Sequence, residues 1–215
     1  RSVEASLDPQ NVASMRVLEA LGMQFETLSR QSYPMRGTYV DDLRYAMLRA
    51  DREAWLGRPR HSPAAVELVA ITPGDAHRWA ALRTHHSQER FVSPMADSFR
   101  DALFPEVVDG APVVPWFRGV LADGEPAAFV MLADVTEHHP EPYLWRLLVD
   151  RMHQRRGIGA TVLAALRAQL SAAGHRSLLT SWVDGPGGPR RFYELLGFQP
   201  TGRVLDGEVE GRLTW

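Results

Sequence analysis

The chain has 215 residues, 45% hydrophobic and 23% charged, enough material for the packed core of one large domain or one and a half ordinary ones. A net charge of -2 gives no bulk attraction to nucleic acid or to an anionic membrane, and every one of the 24 basic residues is arginine. The absence of cysteine excludes disulfides, thiolate metal sites and a cysteine nucleophile. No apolar run approaches the ~20 residues of a membrane span and no signal peptide is visible, so a cytoplasmic location is expected. The chain opens at Arg1 rather than at methionine, which leads us to expect a piece of something longer.

In chain order, residues 2–8 read as a strand and 11–21 as a helix. The stretch from Phe25 to Ala50 reads as two strands around a glycine-containing turn. "RPRHSP" (58–63), with two prolines and no periodicity, reads as a linker. Beyond it, 66–71 reads as a strand, followed by a helix with Asp75 as its N-cap. Residues 87–115 read as loop and short helix. Two apolar strands around Asp123-Gly124 form the clearest hairpin. Residues 143–150 read as a strand. A helix then runs to about Ala173, with Ile158, Val162, Leu166 and Leu170 on one face and Gly174 as its stop. A strand, a helix over 188–196 and a closing strand pair over 198–215 complete an α/β pattern.

The two ends of the chain repeat each other. "SMRVLEALGMQ" (14–24) aligns with "PRRFYELLGFQ" (189–199) at one constant offset, pairing Arg16 with Arg191, Glu19 with Glu194, Leu21 with Leu196 and Gly22 with Gly197. Both copies read as a short helix stopped by glycine and followed by a strand. The simplest account is two related domains, the first represented by its second half. The expected boundaries are 1–57, a linker at 58–64, and a complete domain at 65–215.

"LLVDRMHQRRGIGA" (147–160) is strand, turn and helix start. The first turn of a helix offers unpaired N–H groups and the positive end of its dipole. Gly157 and Gly159 remove two Cβ atoms from the approach of a phosphate, and Arg155 and Arg156 add charge. The turn lacks the Lys-Ser/Thr of a P-loop and is not G-x-G-x-x-G. Alone, the spacing also suits a plain tight strand-to-helix turn.

Gln154, Arg155, Arg156, Gly157, Ile158 and Gly159 resemble the Q/R-x-x-G-x-G/A signature of the GNAT superfamily of N-acetyltransferases, and "RRFYELLGF" (190–198) resembles its second signature. The resemblance covers residues 65–215. It implies a GNAT acyl-CoA N-acyltransferase fold, a mixed central sheet with flanking helices, preceded here by a partial second GNAT domain. It also implies acetyl-CoA as cosubstrate, bound in the gap where the family's fourth and fifth strands splay apart. The backbone of Leu148 and Val149 would pair with the pantetheine, and 154–160, Ala160 included, would hold the pyrophosphate. Tyr193 would be the general acid that protonates the departing thiolate, a role suited to a phenol. Many members carry an asparagine before this helix; here the stretch is "DGPGGP".

Direct transfer to an amine needs a proton acceptor. Asp134, Glu137, His138, His139 and Glu141 are the candidates, with Asp134 and Glu141 taken forward, beside the plain reading of "DVTEHHPEP" as a solvated loop. His138 and His139, being adjacent, point apart and make no metal site. For the acceptor, the loop 89–106 and the tail 198–215 resemble the bacterial spermine/spermidine and diamine acetyltransferases. Phe91, Val92, Pro94 and Ser98 carry the first match, with Phe91 and Ser98 as substrate-binding candidates. Thr201, Gly202, Asp206, Gly207 and Glu208 carry the second. Asp97, Asp101 and Glu106 would suit the approach of a cation. An aminoglycoside-like antibiotic and a protein N-terminus are the other acceptors considered, and an acyl-CoA-sensing module is the non-enzymatic alternative. Residues 8–23 resemble the end of the ribosomal-protein N-terminal acetyltransferases, on Asn11, Ser14, Arg16, Glu19 and Gly22. A homodimer is compatible with the family.

Overall fold

The structure, a computed structural model, describes residues 2–108 and 110–215. Two compact units emerge, residues 2–59 with 85–88, and residues 60–84 with 89–215.

The first unit contains β1 (Ser2–Leu7), α1 (Val12–Leu21), β2 (Gln24–Met35), β3 (Thr38–Leu48) and α2 (Arg49–Gly57). Its sheet has the order β1-β3-β2, with both pairs antiparallel. Asn11 caps α1 by accepting from the Ser14 N–H at 3.0 Å. Met15, Met23, Leu43 and Tyr45 form the core. The buried Glu19 accepts from the Tyr45 hydroxyl at 3.1 Å and from the Ser87 N–H at 2.9 Å. Helix α2 is absent from the sequence reading. It is mostly polar and turns inward chiefly through Trp55, so it carries little apolar periodicity.

The second unit runs β4 (Val66–Val69), α3 (Ala76–Ala80), α4 (Met95–Leu103), β5 (Val107–Val108), β6 (Ala111–Pro112), β7 (Pro115–Ala122), β8 (Glu125–Ala133), β9 (Tyr143–Val149), α5 (Ile158–Ala172), β10 (Ser177–Val183), α6 (Arg190–Leu195), β11 (Gln199–Leu205) and β12 (Glu208–Thr214). Apart from the small β5–β6 pair, this is the element order read from the sequence. The main sheet has the order β11-β12-β10-β9-β8-β7-β4. It is mixed, since β9 and β10 are parallel and the other neighbours antiparallel.

One face of this sheet packs α5 and α6 through Ile158, Val162, Leu166, Trp182, Tyr193 and Phe198. The other packs α3 and α4 through Trp79, Met95, Phe129, Met131 and Leu148. Asp75 does not cap α3 with its side chain as expected. Its carboxylate turns back to the Thr72 N–H and hydroxyl, both at 2.7 Å, and stabilises the preceding turn instead.

Two features of β9 shape the site. The register against β8 slips so that Met131 faces Arg146 and Leu132 faces Leu144, leaving Trp145 as the extra residue of a bulge. Among the described residues, β10 pairs with β9 only at Leu179↔Tyr143 and Thr180↔Leu144. Past those two rungs the strands diverge, opening a gap beside Trp145–Val149 on one side and Ser181–Val183 on the other.

The repeat in the sequence is also a repeat in topology. Strand, helix, strand, strand occurs as β1-α1-β2-β3 with the sheet order β1-β3-β2, and as β10-α6-β11-β12 with the order β10-β12-β11. The aligned glutamates differ in use. Glu19 is buried, whereas Glu194 is exposed and accepts from Arg190 Nε at 2.7 Å. Among the described residues, no helix is long and apolar enough to cross a membrane.

Candidate active site

The turn between β9 and α5 lies at the open end of the gap. Gly157 has φ +81°, a left-handed conformation that a side chain would strain, and an added Cβ there meets nothing within 4 Å. Arg155 is also left-handed, with φ +63°, and its side chain is exposed. The first i→i−4 bond of α5 runs from the Thr161 N–H to the Gly157 carbonyl at 3.0 Å. Ile158, Gly159 and Ala160 therefore present the unpaired N–H groups of the first turn. Positive dipole, free donors and one exposed guanidinium fit a diphosphate.

Three residues of this turn differ from their expected parts. Arg156 is 4% exposed, and its guanidinium is fully engaged inside the protein. Nε donates to the His61 carbonyl at 2.7 Å, Nη2 to Asp123 Oδ2 at 3.1 Å, and Nη1 lies 2.9 Å from His153 Nδ1. It fastens the turn to the β7–β8 hairpin rather than offering charge to a ligand. Gly159 lies close against α6, since a Cβ there would stand 3.0 Å from Phe192 Cζ and the ring would have to give way. Gln154 donates from Nε2 to the Val149 carbonyl at 3.1 Å, bracing the turn against the end of β9.

The strand backbone needs a correction by one residue. The Asp150 N–H donates to the Ala127 carbonyl, which makes Ala127 and Asp150 a hydrogen-bonded pair. Such pairs alternate along an antiparallel ladder. Leu148, opposite Phe129, therefore spends its peptide groups on β8, and its side chain is core. Leu147 and Val149 direct theirs away from β8, toward the gap, the Val149 carbonyl being already taken by Gln154 Nε2.

Tyr193 sits where α6 crosses the start of the gap. Its ring stacks on Trp182 at 5.4 Å and meets Phe192 and Phe198 edge-on at 5.2 and 5.3 Å. Burial pushes the phenol up to about 12, with the Thr180 hydroxyl beside it acting in the other direction. Thr180 Oγ1 itself donates to the Leu144 carbonyl at 3.1 Å, across one of the two rungs that join β9 and β10. The phenol is thus held neutral, a proton donor, near the point where the strands part.

The expected bases flank the closed end of the strand pair, the end that also holds Tyr143 and the two rungs. Glu141 precedes β9 at the closed end of the strand pair, where Oε1 accepts from Arg212 at 2.8 Å and Oε2 from Ser177 at 2.9 Å. The seven residues of β9 span roughly 20 Å between that end and the glycine turn. Asp134 follows β8 at the same end, exposed, and accepts from the Val135 N–H at 2.9 Å. Ser98 is 1% exposed, and its Oγ lies 3.4 Å from the Pro94 carbonyl of its own helix, which removes it from any substrate surface. Phe91 covers the turn before α6, where a Cβ on Gly188 would stand 3.1 Å from its Cε1. Asp97 and Asp101 both pair with Arg100, and Asp101 also with Arg146 at 3.0 Å.

A different polar group flanks the gap on the α3–α4 face. Strand alternation puts Ser181, Glu208 and Glu210 on that face, with Tyr143 across from Leu179. Ser181 donates to Glu208 Oε2. Glu210, 2% exposed, accepts from Thr201 Oγ1 at 2.7 Å and lies 3.5 Å from Arg203. Burial raises the Tyr143 phenol, opposed by neighbouring Ser181 and assisted by the charges of Glu208, Glu210 and Glu106. The signal in the sequence is "EVE" at 208–210, two carboxylates spaced to share one face of a strand. Among the described residues, no cluster of histidine and carboxylates could hold a metal ion.

The sheet is thus split beside a glycine turn, with a buried neutral tyrosine behind the split. The sequence model of the Acetyltransferase (GNAT) family matches residues 79–198. The chain belongs to that family and is an N-acetyltransferase, with acetyl-CoA as the acetyl donor. It is similar to aminoglycoside N(6')-acetyltransferase type 1 of Stenotrophomonas maltophilia, 28% identical over 148 residues, 66% of this chain and 92% of the relative. Among solved structures, it resembles an acetyltransferase from Thermus thermophilus with a TM-score of 0.51 at 22% identity, over 72% of this chain and 99% of that one. It also resembles the GNAT domain of S. lividans PAT, with a TM-score of 0.52 at 17% identity, over 70% and 89% of the two chains. These structural likenesses speak to the fold.

Proposed function

We propose that the protein acetylates a primary amine of a small polycationic molecule, which lies on the α3–α4 face of the sheet, over the gap between β9 and β10. The observation that carries this reading is the group Tyr143, Ser181, Glu208 and Glu210 beside the start of the gap. An aliphatic ammonium is attracted by carboxylates there and must surrender a proton before it can attack. Glu208, only partly buried, is the proton acceptor in this reading, replacing Asp134 and Glu141. The aminoglycoside-acetylating relative and the polyamine-like loop and tail agree on one chemistry, a small molecule with several amines.

Acetyl-CoA supplies an activated thioester carbonyl to the nucleophile. Ile158, Gly159 and Ala160 N–H groups and Arg155 would hold its diphosphate. Leu147 and Val149 would pair with the pantetheine amides as an added strand. Tyr193 gives its hydroxyl proton to the departing thiolate. Residues 2–57 are, in this reading, the second half of another GNAT-like domain, with Leu18 at the position of Tyr193 and so no acid for transfer.

The test is release of CoA thiol with spermidine, spermine, a diamine, an aminoglycoside and an N-terminal peptide side by side. Turnover with one or more of the polycationic small molecules, and a lowered kcat with a raised KM in Glu208→Gln, is the expected result. Turnover confined to the peptide would overturn the acceptor class.

A further inference from the structure

Glu208, the proton acceptor proposed above, belongs to β12, and β12 does not border the gap. The sheet order places β10 between β12 and β9. Neighbouring strands stand about 4.8 Å apart, so an amine over the β9–β10 gap lies a strand's width from the strand that carries the carboxylate. Ser181 fills the position between them. It is the first residue of β10 past the two rungs at Leu179↔Tyr143 and Thr180↔Leu144. Strand alternation puts it on the α3–α4 face, together with Glu208 and Glu210 of β12. Its hydroxyl donates diagonally to Glu208 Oε2. A hydroxyl has one proton to give and two lone pairs. With that proton committed to Glu208, Ser181 meets any further donor as an acceptor. Thr180, the preceding residue, alternates to the opposite face with Leu178 and Trp182, and its hydroxyl stands beside Tyr193. Consecutive residues of one strand thus reach the proposed base on one face and the proposed acid on the other.

We infer that Ser181 is a catalytic residue, a relay whose Oγ takes a proton from the bound ammonium while its own proton passes to Glu208. The inference rests on the reading of Glu208 as the proton acceptor. The transfer breaks one N–H bond and leaves the electron pair on nitrogen. One O–H bond of the serine breaks as another forms, so Ser181 ends as it began. Glu208 holds the proton as a neutral acid and returns it to water after turnover. The nitrogen attacks the thioester carbon, the C–S bond breaks, and Tyr193 protonates the sulfur. The second proton of the nitrogen, lost once the C–N bond has formed, is made good at Tyr193 by way of solvent.

The test is kcat/KM against pH, with whichever of spermidine, spermine, the diamine and the aminoglycoside is turned over. Ser181→Ala is expected to lower kcat/KM about tenfold to a hundredfold near pH 7. The loss is expected to shrink toward about pH 10, where an alkylamine arrives already deprotonated. Ser181→Thr keeps a hydroxyl and is expected to recover most of the rate. Ser181→Cys, whose sulfur is a weak acceptor, takes the place of the alanine variant if that one does not fold. Ser181→Ala combined with Glu208→Gln is expected to lose no more than the more damaging of the two alone, since both cut one path. No loss, a loss equal at every pH, or two losses that multiply overturns the inference. Unchanged turnover in Glu208→Gln at every pH, or no turnover of any of these amines, overturns instead the reading beneath it, and the inference with it.

Discussion

Arg156 Nη2 donates to Asp123 Oδ2 at 3.1 Å, joining the glycine turn to the tip of the β7–β8 hairpin. The other oxygen of Asp123 accepts from the N–H groups of Ala64 and Ala65 at 2.7 and 3.1 Å. One carboxylate thus gathers three segments that are distant in sequence.

From this geometry, Arg156→Ala costs roughly 2–4 kcal/mol of stability, because a buried guanidinium with three partners is lost. Denaturant unfolding measures that loss. Acetyl-CoA affinity in the folded fraction is expected to change less than in Arg155→Ala, whose side chain is exposed. A larger affinity loss for Arg156→Ala at unchanged stability would restore it to the ligand.

Gly159 and Phe192 are predicted to be coupled. Gly159→Ala brings a methyl to 3.0 Å from the Phe192 ring and is expected to destabilise by about 1–3 kcal/mol through overpacking. Phe192→Leu in the same chain is expected to relieve part of that cost. A double-mutant cycle reads the coupling, and strict additivity would remove the packing explanation.

For Tyr193, replacement by phenylalanine is expected to lower turnover about a hundredfold or more while leaving acetyl-CoA affinity nearly unchanged. Equal turnover would exclude it as the acid. The phenol, raised from its ordinary 10.0 to about 12, keeps its proton across the working range. The pH–rate profile should therefore rise as the acceptor amine deprotonates and show no Tyr193 limb near 10. The same shift has a cost in stability. The unfolded chain ionises first, so stability falls as pH climbs above 10.0 toward about 12.

His153 gives a prediction at the acid side. Burial holds its imidazole below the ordinary 6.5, with Asp150 acting in the other direction and Arg156 adding to the depression. The unfolded chain therefore takes up the proton first. This contribution to stability is complete above 6.5 and shrinks as pH falls toward the folded value. His153→Asn offers Arg156 an acceptor that does not titrate, and should flatten the decline in Tm between about pH 7 and 5. An unchanged slope would assign the decline to other groups.

The order of elements, the glycine turn and the helix of Tyr193 are local facts, and the sequence carries them in spacing and periodicity. Two of the three partners of Arg156 are not local. Asp123 and His61 stand far back in the chain, and nothing near "QRRG" announces that one arginine turns inward and the other outward. Gly159 shows a related difficulty, because a glycine kept for a neighbouring phenylalanine looks like one kept for a phosphate. Leu148 is one residue out because the direction of a peptide group depends on the register with β8, which hydrophobicity does not encode. Glu141 and Asp134 lie near the middle strands in sequence, but both stand at the closed end of the β9–β10 pair. Glu208 and Glu210 are visible as part of a tail, yet only the pairing of β12 with β10 brings them beside Ser181.

Two rungs are all that join β9 to β10 among the described residues, so the seven-stranded sheet is mechanically two plates, one of three strands and one of four, meeting at a short seam. Backbone bonding does little to hold the plates together; α5 and α6, packed across the underside, act as the tie. On the proposed reading, a cosubstrate lying along the seam would supply the missing rungs and become a structural member of the sheet for as long as it stayed. Each catalytic cycle would then also be a cycle of stiffening and release.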